Sequence, residues 1–302
     1  MKLQMEQKGD IVDIERLKDF HSYVKNLVKS PSCIDRIYHY TTLDVLLNGL
    51  VVKNPIDGSE ICLWGTEASC LNDFTELKTG SRFLMDIMEK HFVRFEGSDG
   101  NCDYDCPPSF FVTSFSLKRD FLPMWSMYSN NATGISLCFD ATLIKEKAQG
   151  DFRKCIYLTD NLSKEIYAML DGFTAITISK NEIEVFALIL FFICLYVKDK
   201  SIALMLSPFL EFSLSLKNMA YEHEDEVRLL KAVENDKDIK YRMRKNLMVP
   251  YVEQHFPKEA LIEIIVGPNN DMNSIVRTLK SYLNSVGFGH VVVTPSKVPY
   301  RG

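Results

Sequence analysis

A chain of 302 residues, 46% apolar and 25% charged, has the composition of a globular protein, which excludes fibrous and disordered classes. Its 35 Lys and Arg against 40 Asp and Glu give a net charge of −5, so no global positive field is available to hold a duplex nucleic acid. Eight cysteines are scattered through a chain large enough to fold without cross-links, and they are expected to be reduced. The amino terminus alternates charges and has no apolar core before a cleavage site, so the expected location is the cytoplasm.

In chain order, residues 1–35 are expected as an N-terminal helix, with Ile14, Leu17, Val24, Leu27 and Val28 at helical spacing and an end near Pro31. Residues 36–302 are expected as a single α+β domain built on a mixed or antiparallel sheet. Arg36–Tyr40 reads as a strand, Leu43–Leu50 as a helix closed by Gly49, and Ile61–Thr66 as a second strand. A long helix over 74–92 and a surface loop over 96–108 follow. Phe110–Phe115, Gly134–Phe139 and Arg153–Leu158 carry strand patterning. About residues 161–220 the pattern turns to long apolar helices, read as an all-helical insertion. The apolar run 185–197 is thirteen residues long. At ~1.5 Å per residue it covers roughly 20 Å of a ~30 Å hydrocarbon layer, so it predicts a buried helix and no membrane partner. Strands return at Val227–Val233, Leu247–Val252 and Leu261–Val266, and a helix through Ile275 and Val286 leads to a last strand, His290–Val293.

Four constellations carry chemistry. In Tyr38-His39-Tyr40-Thr41-Thr42 a strand feeds a helix amino terminus, which suits an anionic or amide-bearing ligand, although a lone His is more often packed. Asn72, Asp73 and Glu76 open the long helix with capping chemistry. Thr113-Ser114-Phe115-Ser116, followed by Trp125 and Tyr128, offers hydroxyls beside aromatic rings, as a pocket wall or as an ordinary sheet edge. Glu224, Glu226 and Arg228 stand at period two, so a strand there would turn two carboxylates and a guanidinium the same way. Coupled carboxylates are one route to an acid or base near neutral pH.

Cys102 and Cys106 have no second ligand pair at zinc-like spacing, so no metal is expected. The basic cluster 240–245 offers charges that could meet phosphates, with a solvated loop as the preferred reading. Neither a Gly-x-Ser-x-Gly nor a His-Glu-x-x-His hydrolase motif occurs.

The order of these pieces resembles a bacterial family of unknown function, domain of unknown function 2971. The resemblance is carried by YHYTT (38–42), LND with Glu76 (71–76), TSFS (113–116), LPMWSMY (122–128), the Gly134 strand, EDEVRLL (224–230), VGP (266–268) and SKVPYR (296–301). It departs from that family at Val227, where Trp is usual, and in the long apolar helices near 185–216. The core also resembles the ADP-ribosyltransferase superfamily, through His39, Thr41, Gly49-Leu50 and a strand Glu.

That second resemblance implies NAD as substrate and an ADP-ribosyltransferase acting as a toxin or phage-defence effector on a protein or nucleic-acid acceptor. Glu226 or Glu224 would stabilise the oxocarbenium ion. His39 would hold the ribose, with Tyr40, Thr41, Ser114, Ser116, Trp125, Tyr128 and Arg228 binding the rest of the nucleotide. The alternative expectation is a non-catalytic module that binds a small nucleotide or a partner.

Overall fold

The computed structural model describes residues 22–23, 26–27, 34–54, 58–71, 93–95, 110–148, 151–170, 176–178, 214–233, 236–244, 246–269 and 271–300. The helix expected over 74–92, the loop over 96–108 and the apolar run 185–197 lie outside them, as do Asn72, Asp73, Glu76, Cys102 and Cys106. Of the N-terminal helix, residues 22–23 and 26–27 are described, and they are helical. Among the described residues no helix is long and apolar enough to cross a membrane.

The chain divides into two compact units. One gathers residues 1–29, 75–105 and 156–219, and the other residues 30–74, 106–155 and 220–302. The first contains a helix, Asp160–Leu170, and two small parallel pairs: Val93–Phe95 with Ile176–Ile178, and Ile156–Leu158 with Leu216–Asn218. The insertion over 161–220 is therefore not all-helical. Ile176-Thr177-Ile178 is a β-branched run that prefers extended backbone, and its partner is too distant in sequence to be seen as a hairpin. The single strand expected over 153–158 is also two, broken at Cys155.

Among the described residues the second unit forms an eleven-stranded sheet. Its strands are β1 (Arg36–Thr41), β2 (Val51–Asn54), β3 (Gly58–Glu67), β4 (Phe110–Ser116), β5 (Ile135–Asp140) and β6 (Asp151–Lys154). They continue with β7 (Glu226–Ala232), β8 (Lys240–Arg244), β9 (Leu247–Pro257), β10 (Leu261–Val266) and β11 (Val292–Pro295). The main path runs β8-β9-β3-β4-β1-β5-β10-β11. From it β7 branches off β4 and carries β6, while β2 pairs with β3. All pairs are antiparallel except β10–β11, whose crossover contains a helix, Met272–Ser285.

Strand alternation separates two cores. Ile37, Phe115, Leu137, Phe139, Val227 and Leu229 face one way, against Leu279 and Leu283 of the crossover helix. Tyr38, Tyr40, Cys138 and Ile265 face the other, and are covered by Met124 and Trp125 of a short helix, Leu122–Tyr128. Asp120 anchors that cover. It accepts hydrogen bonds from Trp125 Nε1 at 2.7 Å, Ser296 Oγ at 2.6 Å and the Lys297 backbone N–H at 2.8 Å. The LPMWSMY and SKVPYR segments are thereby tied together by one carboxylate.

Replacing Asp120 with Ala leaves the indole N–H of a fully buried Trp125 without its acceptor. The expected loss is about 1.5–3 kcal/mol of unfolding free energy, read as a lower urea midpoint at unchanged slope. An unchanged midpoint would refute this anchoring role.

Candidate functional site

The site is built on β4, whose alternation sends Thr113 and Phe115 to the first face and Ser114 and Ser116 to the second. Residues directly opposite in an antiparallel ladder share a face. Tyr38 pairs with Ser116, and Ser116 pairs on its other side with Glu226, so these three form one row on the second face. Arg228 lies opposite Ser114 on that same face.

Glu226 and Arg228 are both buried and form a two-pronged pair. Nε donates to Oε1 and Nη2 to Oε2, each at 3.0 Å, and the Cys155 thiol donates to Oε2 at 3.4 Å. The expectation that Glu224 shares this strand face does not hold. Glu224 ends a 3-10 turn, Met219–Glu224, and Asp225 adopts a left-handed backbone with φ 47°, which breaks the alternation. Asp225 is paired with Lys154 at 2.9 Å and Lys118 at 3.6 Å. Glu224 nonetheless meets the row: Tyr128 donates its phenol to Oε1 at 2.6 Å, and Ser116 Oγ donates to the Glu224 carbonyl at 2.6 Å.

His39 stands on the other face. It pairs with Leu137, packs edge-on against Phe115, and lies next to Tyr38 in the strand. Imidazole and buried carboxylate thus leave the sheet on opposite sides, whereas the resemblance implied that His39 and Glu226 act on one ribose. The Nδ1–H of His39 donates to the Ser114 carbonyl at 3.0 Å, which leaves Nε2 as an acceptor. Burial pushes its pKa down, and the positive charge of Arg242 adds to that.

Of the other residues singled out from sequence, Tyr40 packs edge-on to Trp125 and donates its phenol to the Lys118 carbonyl. Both rings belong to the second core. Thr41 is buried at the end of β1, where its carbonyl leaves no room for a Cβ at Gly134. The structure therefore brings together Ser114, Ser116, Tyr128, Glu224, Glu226 and Arg228, and leaves His39, Tyr40, Thr41 and Trp125 out of that cluster.

A second set of residues was missed. The edge of β4 opposite β7 is shared: β3 pairs at Phe111 and Val112, and β1 only at Ser116. The sheet forks between β1 and β3, with His39 at one wall of the fork and Thr66 at the other. The segment 240–245, read as a solvated loop, supplies β8, and its alternation puts Lys240, Arg242 and Arg244 on one face. The Arg242 guanidinium lies 5.0 Å from the Trp64 ring and 5.6 Å from the Tyr251 ring, and donates to Thr66 Oγ1 at 2.8 Å. Its Nε is buried without a hydrogen-bond partner among the described residues. Burial and the neighbouring Arg244 lower the pKa of Arg242. The signal was present in Lys-Tyr-Arg-Met-Arg, which has the period-two charge pattern of a strand.

Residues 124–229, about a third of the chain, match the model of a family described as Protein of unknown function (DUF2971). That region holds Trp125, Tyr128, Glu224, Glu226 and Arg228, and excludes His39 and Arg242. No curated protein and no solved structure matches the chain.

Two outcomes test this geometry. Arg228→Met leaves a buried carboxylate without its guanidinium and is expected to cost about 3–5 kcal/mol, while Arg228→Met with Glu226→Gln recovers a large part of that; additive losses in urea titrations would refute the pairing. For His39 the lowered folded pKa means that the unfolded chain binds the proton first, so stability falls as pH drops below about 6.5. His39→Gln is expected to weaken that acid-side decline, and an unaltered stability–pH curve would contradict it.

Proposed function

We propose that this chain is a binding module for a small nucleotide, held at the fork of the sheet, rather than an ADP-ribosyltransferase acting through Glu226. The observation that carries the reading is Arg242. It is a largely buried cation with no carboxylate partner among the described residues, walled by Trp64 and Tyr251, and close enough to His39 to affect its charge. A guanidinium with donors to spare suits a phosphate, aromatic rings beside it suit a base or nicotinamide ring, and a neutral imidazole with Nε2 as acceptor suits a sugar hydroxyl. NAD combines all three groups.

Against turnover stands the state of the acids. Glu226 has its charge matched by Arg228 and sits across the sheet from His39. Stabilising an oxocarbenium ion needs a carboxylate whose charge is available at the sugar. A second reading, ADP-ribosyl transfer from NAD by a toxin or defence effector, draws support from the meeting of Glu224, Tyr128 and Ser116; Glu224 is then the better carboxylate of the two.

Calorimetry with NAD and ADP-ribose, alongside a nicotinamide-release assay, separates the readings. The binding module predicts saturable binding, about tenfold or more weaker in Arg242→Met, and no nicotinamide released. Absence of binding by either nucleotide would overturn the proposal. Release of nicotinamide that disappears in Glu224→Gln would replace it with the second reading.

A further inference from the structure

At the far end of β3 and β9 from the fork, three side chains of metal-ligating chemistry converge. Cys62 and His255 are directly opposite in the ladder, and Glu253 lies two residues before His255 on the same face. One ligand atom from each of Cys62, Glu253 and His255 lies within 4.8 Å of the others. We propose that they form a binding site for a zinc-type divalent cation, with a thiolate, an imidazole and a carboxylate as protein ligands and a fourth position open to solvent.

The surroundings are arranged as such a site requires. His255 Nδ1 lies 3.3 Å from Glu60 Oε2, and Nε2 lies 3.5 Å from Glu253 Oε2. A proton on Nδ1 donated to Glu60 leaves the Nε2 lone pair turned toward Glu253, which is how an outer carboxylate orients a metal-binding histidine. Cys62 is buried, whereas the His255 side chain is 44% exposed, so a cation has a way in and a thiolate to end on. The Glu253 carboxylate of this cluster is already matched by a positive charge. Lys240 Nζ now supplies that charge, 2.7 Å from Glu253 Oε2, on a half-exposed side chain that can swing into water.

Binding is a substitution without redox change. The thiol proton leaves to solvent as the sulfur–metal bond forms, and Lys240 is displaced from Glu253 into water. Three protein ligands with an open fourth position differ from a structural zinc site, in which the protein fills all four. No linear spacing announces it, because Cys62 lies in β3 and its companions in β9.

Cobalt(II) reports on such a site by colour. The metal-free full chain titrated with cobalt is expected to develop a near-ultraviolet sulfur-to-metal charge-transfer band with intense visible bands of tetrahedral geometry, displaced by one equivalent of zinc. Cys62→Ser is expected to abolish the charge-transfer band, Glu60→Gln to weaken metal binding about tenfold or more, and Lys240→Met to tighten it. A charge-transfer band that persists in Cys62→Ser comes from another of the eight cysteines and overturns the proposal. Should Cys62→Ser fail to fold, His255→Ala replaces it, and unchanged metal affinity there overturns the proposal equally. Neither readout involves a nucleotide, so the outcome is independent of the binding reading above.

Discussion

The constraint on which this sheet depends is the alternation of β4. Each of its side chains is committed to one of two faces, and its two backbone edges are committed to different neighbours: one wholly to β7, the other divided between β3 and β1. Because Tyr38, Ser116 and Glu226 are in register, the next residue in β1, His39, must leave from the opposite side. A one-residue slip would reverse this, but it would also turn Ile37, Phe115 and Val227 out of the first core. Hydrophobic burial therefore fixes where the polar groups stand.

The buried Glu226–Arg228 pair follows from the same constraint. Both residues occupy a face that the Leu122–Tyr128 helix helps to close, and desolvating two charges is tolerable only when each satisfies the other. Their geometry, two parallel hydrogen bonds of 3.0 Å, meets that condition. A carboxylate so neutralised defines local structure more readily than it supplies charge to a substrate. Glu224 escapes the arrangement because Asp225 takes a left-handed turn just before β7 begins, a conformation for which Asp is among the better-suited side chains.

Much of the sheet was legible from sequence. Arg36–Thr41, Phe110–Ser116 and Leu261–Val266 announce themselves by β-branched and aromatic residues between turns, and Met272–Ser285 by helical spacing closed at Gly287. What escaped has identifiable causes. β8 has few apolar residues because it is an edge strand, with Tyr241 and Met243 exposed, so its charges resembled a loop. The pairs in the first unit join segments far apart in sequence, and no local pattern encodes such a partner. Among site residues, period-two spacing made the shared face of Glu226 and Arg228 readable, whereas the addition of Ser116 required the pairing of β4 with β7, and the placement of His39 that of β1 with β4.

The same reasoning explains why the polar residues of β3, β8 and β9 went unnoticed individually. Cys62, Trp64 and Thr66 alternate with Ile61, Leu63 and Gly65, so half of β3 serves the core and the other half faces β9 and β8. Opposite that second half stand His255, Glu253 and Tyr251, followed by Lys240 and Arg242. Along this one face the charge changes sign: carboxylates and a thiol gather around His255, and the Arg242 guanidinium lies over Trp64. A surface so graded attracts a cation at one end and an anion at the other, through side chains spaced by the pleat itself.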